Sequence, residues 1–333
     1  MRLERFMRRA MAAGLFGWVL TAPAAAPDAP KDAAKDYPNR PIRLLVPNAP
    51  GSSVDTLGRI FAQGFTNVTG QQVVIDNRAG AGGILGMEIG KNANPDGYTL
   101  ISASTAAMTI APHIQTKLPF DPLKDYEFVS LFGITPNVLV VNPSLPVKNV
   151  KELIEFTKSK GGQVNMASAG PGSQSHLAGV LLTTVGRFES LHVPYKGGGP
   201  SVASVVAGES QWTITPAPAV AGLIRGGKLR AVAHSLPKRD PLLADLPAVA
   251  ESVPGYEYSG WNGLLAPRGT PKAIVDKLRE LLIKTVQTPE VRKGFELQLT
   301  QIHTNTPAEF RALVAKELKQ MGPVVKAAGL KVE

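Results

Sequence analysis

From Pro41 onward the chain alternates short apolar runs with longer amphipathic stretches. Runs this short fit strands, and the stretches between them fit helices with one apolar face, so the pattern predicts an α/β fold with largely parallel sheets. Strands are expected at Ile42 to Val46, Val73 to Ile75, Tyr98 to Ser102, Val138 to Val141, Val164 to Ala167, His192 to Tyr195, Trp212 to Thr215 and Leu229 to Ala233. Helices are expected at Ser53 to Phe65, at Val150 to Lys158 with Gly161-Gly162 as its stop, and at His176 to Thr184. Thr306-Pro307-Ala308-Glu309 has the form of a capping box with proline at the first helical position, and Thr270-Pro271 offers a similar cap without the glutamate.

Two extended, partly apolar runs, Phe128 to Ile134 and Tyr258 to Leu265, flank a self-contained α/β segment. They are expected to cross between two lobes, residues 37–134 plus 260–333 and residues 135–259, and to act as a hinge. The length supports the same division, since some 300 residues exceed what one core usually occupies.

The first 26 residues change the picture. Arg2, Arg5, Arg8 and Arg9 precede an apolar stretch from Ala10 to Leu20 and small residues from Ala22 to Ala26, which is the layout of a cleavable secretory signal. The Arg8-Arg9 pair raises a twin-arginine route, but its flanks do not strengthen it. Residues 27–36, rich in Ala, Pro, Asp and Lys, are expected to form a disordered leader. A periplasmic protein follows from this reading. The chain has no cysteine, which excludes disulfides, thiolate metal sites, a Cys nucleophile and a lipid-bearing cysteine behind the signal. Removing the signal lowers the formal charge from +10 to +7. The remaining excess favours acidic partners by steering, while dispersed lysines and arginines and 6% aromatics argue against nucleic acid.

Candidate chemistry lies in two Gly- and Ser-rich turns, Pro47 to Ser53 and Ala167 to Ser175. Each follows a strand-like run and opens a helix, so each aims unpaired N–H groups and a partial positive charge at whatever lies before it. Two such turns, far apart in sequence, suggest two lobes holding one acidic ligand. The Gly80-Ala81-Gly82-Gly83-Ile84-Leu85-Gly86 stretch lacks the spacing of a dinucleotide fingerprint and reads as a helix-opening turn near the cleft. Asp55 and Asp76 read as capping and turn residues. His176 beside Ser173 and Ser175 raises a secreted serine hydrolase as the alternative, although no Gly-x-Ser-x-Gly elbow surrounds these serines. The histidines at 113, 176, 192, 234 and 303 show no metal-ligand spacing. Neither a cofactor nor a metal is expected.

Further signatures run through the chain in order: Tyr37-Pro38, Pro41-Ile42-Arg43, Pro50-Gly51 with Asp55, Asp76-Asn77-Arg78 with Gly80 to Gly83, Pro95-Asp96-Gly97-Tyr98, Leu118-Pro119-Phe120-Asp121-Pro122, Ser168-Ala169-Gly170 with Ser173, Ser175 and His176, Val193-Pro194-Tyr195-Lys196-Gly197, and Gly263-Leu264-Leu265-Ala266-Pro267. Together they resemble the solute receptors of tripartite tricarboxylate transporters, the Bug family. The resemblance implies a type II-like periplasmic-binding-protein fold of two α/β lobes joined by two crossover strands, with a ligand cleft between them. It implies a non-enzymatic, monomeric receptor for a di- or tricarboxylate, aromatic acids included, that serves the membrane permease subunits of a tripartite transporter or a sensor kinase.

Carried to matching positions, the resemblance points to Ala49, Gly51, Ser52 and Ser53, with Ser104 and Thr105, on the first lobe. On the second it points to Ser168, Gly170, Gly172, Ser173 and Ser175, with the Tyr195-Lys196-Gly197-Gly198 turn. Ile214-Thr215-Pro216 stands where relatives commonly show a Phe-Asp-Asn-like triplet, and Asn48 where an aromatic is frequent. Thr215 in place of a carboxylate removes an acceptor for a ligand ammonium or hydroxyl, so a ligand without an amino group, such as a bulkier dicarboxylate, is expected. Trp261, at the proposed crossing, is expected either near the ligand or packed in the core.

Overall fold

In the computed structural model, residues 34–327, 329 and 330 are described. The expected signal segment and leader residues 27–33 lie outside the described residues. Ala34 to Asp36 form a turn, with Ala34 packed against the first-lobe core.

The order of elements is β1 (Ile42–Val46), α1 (Ser53–Thr69), β2 (Val73–Asn77), α2 (Ile84–Lys91), β3 (Thr99–Ser104), a π-helical turn (Ala106–Ile110), β4 (Tyr126–Val141), α3 (Val150–Ser159), β5 (Asn165–Ser168), α4 (Gln174–Gly186), β6 (Leu191–Pro194), α5 (Gly198–Ala207), β7 (Trp212–Pro216), α6 (Ala221–Arg225), β8 (Arg230–His234), α7 (Val249–Ser252), β9 (Ser259–Pro267), α8 (Lys272–Gln287), α9 (Pro289–Leu297) and α10 (Pro307–Ala327). The strands run in the order β2-β1-β3-β9-β4-β7-β5-β6, with β8 also paired to β4.

The sheet is more mixed than expected. β1 is parallel to β2 and β3, and β5 is parallel to β6 and β7, but the middle of the sheet is antiparallel. There β9 lies between β3 and β4, and β4 continues into pairing with β7 and β8. The crossover run from Phe128 and the strand ending at Val141 are thus one 16-residue strand. Its partner in the crossing is β9, from Tyr126 opposite Pro267 to Pro136 opposite Ser259.

Alternation along β4 explains how one strand serves two lobes. Val129 and Phe132 enter the core beneath α1, α8 and α9, whereas Phe128 and Leu131 enter the core beneath α2 and α10. Past the crossing, Leu139 and Val141 join the core of α3 and α4, and Val138 and Val140 that of α5. A strand with both faces covered needs such a continuous apolar run. α10 also spans the division: Phe310 and Val314 pack on the first lobe, and Met321 and Val325 on the second.

Two helix starts contrast. Thr306 and Glu309 form the expected capping box, with the Thr306 N–H donating to Glu309 Oε2 at 2.8 Å and the Glu309 N–H to Thr306 Oγ1 at 3.2 Å. The Thr270 hydroxyl instead donates to the Pro267 carbonyl at 2.8 Å, so it caps no helix N–H, and α8 begins behind Pro271. Among the described residues, no helix is long and apolar enough to cross a membrane.

Candidate functional site: an anion cleft at four helix N-termini

The parallel strands of each lobe end at a common cleft of about 480 Å³. Ligands in open α/β sheets characteristically bind outside the carboxyl ends of such strands. Ser52, Gly83, Ser173 and Gly197, the N-caps of α1, α2, α4 and α5, all line it. Each helix start leaves N–H groups without an intrahelical acceptor and carries about half a positive elementary charge. Lys196 is the one charged side chain on the wall, and no carboxylate lines it among the described residues.

Of the residues expected from sequence, Ala49, Ser52, Ser53, Ser104, Ser173, Ser175 and Thr215 meet on the cleft wall. Six others stand behind it. The Gly51 N–H donates to Asp55 Oδ2 at 2.8 Å, so it is spent within its own turn. Thr105 is buried and its Oγ1 accepts the Trp261 N–H at 2.9 Å. Ser168 is fully buried; its Oγ contacts His192 Nε2 at 2.6 Å and accepts the Gly170 N–H at 3.1 Å. The Gly172 N–H donates to His176 Nδ1 at 3.3 Å. The Tyr195 hydroxyl pairs with Ser210 Oγ at 3.3 Å on the far side of its turn. Trp261 faces away as well, lining a second cavity of about 420 Å³ behind the crossing.

The wall serines also hold the turns. Ser52 Oγ accepts the Asp55 N–H at 3.3 Å, and Ser173 Oγ the His176 N–H at 3.2 Å, which are N-cap bonds. Ser175 Oγ accepts the Ala169 N–H at 2.9 Å. Behind the first turn, Asp55 binds Arg59 and Asn77 as well as Gly51, and Asn77 Nδ2 donates onward to the Asn48 carbonyl at 3.0 Å. Burial alone would raise the Asp55 pKa, but the hydrogen bonds from Arg59, Gly51 and Asn77 outweigh it and hold the carboxyl below its ordinary value.

The glycine-rich stretch supplies the α2 entrance. Gly80, Gly82 and Gly83 line the cleft, and Gly83 has φ of 104°, a left-handed conformation that suits glycine. Reasoning from sequence missed Gln174, Gly198 and Ala219 as wall residues in their own right, although the turns containing the first two were marked.

The fold and cleft define a two-lobed solute receptor. The chain belongs to the tripartite tricarboxylate transporter family receptors (TctC), matching that family over residues 57–330. It is 31% identical to a solved *R. palustris* protein, Rpa4515 with adipate, with a TM-score of 0.85 over 89% of this chain and 99% of that one. Against the periplasmic binding protein BugD the values are 30%, 0.82, 89% and 99%. Against MatC from Rhodopseudomonas palustris with bound malate they are 30%, 0.79, 87% and 100%. The family is one of periplasmic binding proteins.

Proposed function

We propose that this protein is a periplasmic receptor that closes on a dicarboxylate lacking an amino group and presents it to the permease of a tripartite transporter. The observation that carries this reading is the convergence of four helix N-termini, two from each lobe, with Lys196 as the only charged wall residue among the described residues. Four half-charges, about +2 together, already balance a dianion before Lys196 is counted, and two pairs of N-termini match two carboxylates. Charge-assisted hydrogen bonds contribute about 1.5 to 3 kcal/mol each, so four or five reach the roughly 8 kcal/mol of micromolar binding before the costs of association. The adipate and malate held by two solved relatives belong to the same chemical class.

Thr215 is buried at the wall, where a carboxylate would have been needed to hold an ammonium. The hydrolase alternative would need His176 as the base for Ser173 or Ser175. His176 uses Nδ1 to accept the Gly172 N–H, and its ring stacks on His192 with centroids 3.9 Å apart. Burial, reinforced by His192, pushes its pKa down to about 4, which makes it a poor proton acceptor.

Thermal-shift screening followed by calorimetry on the exported form tests the proposal. Dicarboxylates such as adipate or malate should stabilise and bind; tight binding of an amino acid with no response to plain dicarboxylates would overturn it.

A further inference from the structure

We propose that Gln174 is the specificity-determining residue for the far end of the ligand, and that Gly260 of the crossover strand sets the position of its amide. This rests on the carboxylate-receptor reading above. Gln174 is the first residue of α4 and lines the cleft. Among the described residues, it and Lys196 carry the only long polar side chains on that wall, and Lys196 is exposed whereas Gln174 is half-buried.

The amide of Gln174 is pressed against bare backbone. A Cβ placed on Gly260 would stand 2.0 Å from Nε2 and 2.6 Å from both Cδ and Oε1, so any other residue at 260 would evict the side chain. The fit comes at a cost, because Nε2 is buried with no hydrogen-bond partner. A half-turn about the Cγ–Cδ bond exchanges the two ends of the amide without leaving the Gly260 seat. In the proposed bound state the NH₂ group takes the place of Oε1, where a ligand carboxylate oxygen would be the acceptor it lacks. An apolar ligand end offers nothing in exchange for that turn. Gln174 therefore favours acids with a second carboxylate over acids of the same length that end in a methyl group. Because Gln174 belongs to α4 and Gly260 to β9 at its pairing with Thr135, the amide is in place only when the second lobe sits against the crossing.

Calorimetry with adipate against hexanoate, and with malate against 2-hydroxybutyrate, tests this. Gln174→Ala should weaken binding of each diacid by roughly tenfold to a hundredfold while leaving its monoacid partner unchanged. Gln174→Glu, which keeps the shape but places oxygen where nitrogen stood, should weaken the diacids at least as much. Gly260→Ala should reproduce the loss in the wild-type background and add none in the Gln174→Ala background, where the space is vacant. Unchanged diacid-to-monoacid ratios in both Gln174 variants overturn the inference, as does an equal effect of Gly260→Ala in the two backgrounds. A wild-type protein that binds neither diacid overturns the receptor reading along with it, so the two failures are distinguishable.

Discussion

The indole N–H of Trp261 donates to Oε2 of Glu317 at 2.8 Å, tying crossover strand β9 to the helix that packs on both lobes. Thr109, from the π-helical turn behind the cleft wall, reaches the same oxygen at 3.4 Å. The two bonds join the wall segment around Ser104 and Ala106 to the hinge.

Glu317 should make stability depend on pH. Its burial raises the pKa above the ordinary 4.5, against the opposing bonds from Trp261 and Thr109. A carboxyl raised on folding contributes stability below its unfolded pKa and loses it as pH climbs through the folded value. Glu317→Gln keeps an acceptor for Trp261 but has no charge to desolvate. Its thermal midpoint, relative to wild type, should therefore rise between pH 4.5 and neutrality, as read by scanning fluorimetry. Parallel pH profiles for the two proteins would contradict the assignment.

The wall serines should separate binding from stability. Ser53 lines the cleft at the start of α1 without being its cap, whereas Ser173 caps α4. Ser53→Ala should weaken binding of a dicarboxylate about tenfold and leave the empty protein's midpoint in place. Ser173→Ala should weaken binding similarly and also lose about 1 kcal/mol of stability through the missing cap. Calorimetry and denaturant melts on both variants read the two quantities, and identical behaviour of the pair would refute the distinction.

Gly86→Ala should damage the site from outside it. A Cβ there would stand 2.7 Å from the Pro47 Cα and 2.9 Å from the Arg78 carbonyl oxygen, both backbone atoms that cannot swing aside. Pushing α2 away from Pro47 displaces one of the four N-termini. The expected outcome is a loss of about 1 to 3 kcal/mol of stability together with weaker ligand binding. A variant that keeps wild-type affinity would show that α2 is not part of the cradle.

Much of this architecture was legible because most apolar runs are short and alternate with amphipathic stretches. The runs at Ile42 and Trp212 begin within the sheet where the pattern placed them. The turns at Ser52 and Ser173 announced themselves through hydroxyl caps followed by helical sequence. The glycine-rich stretch before Ile84 marked the entrance of α2, but that of α5 was harder to read because Gly197 offers no capping side chain to distinguish such a start from an ordinary loop. Whether Trp261 faces the ligand or the core was not legible because side chains alternate along a strand, and sequence does not say which face of β9 looks into the cleft. Thr270 shows the same limit on a smaller scale: its hydroxyl had two acceptable partners, and the turn before it supplied the nearer.

Pairing of β4 with β9 across the crossing has a mechanical consequence. The halves are joined by neighbouring ribbons that share a hydrogen-bonded ladder, interrupted by register shifts between Phe128 and Ser130 and between Leu131 and Gly133. Release of cargo must flex this ladder as a leaf spring flexes, with the irregular steps yielding before the regular ones. A change in the angle between the halves would therefore concentrate at these two steps, where the ladder is already broken.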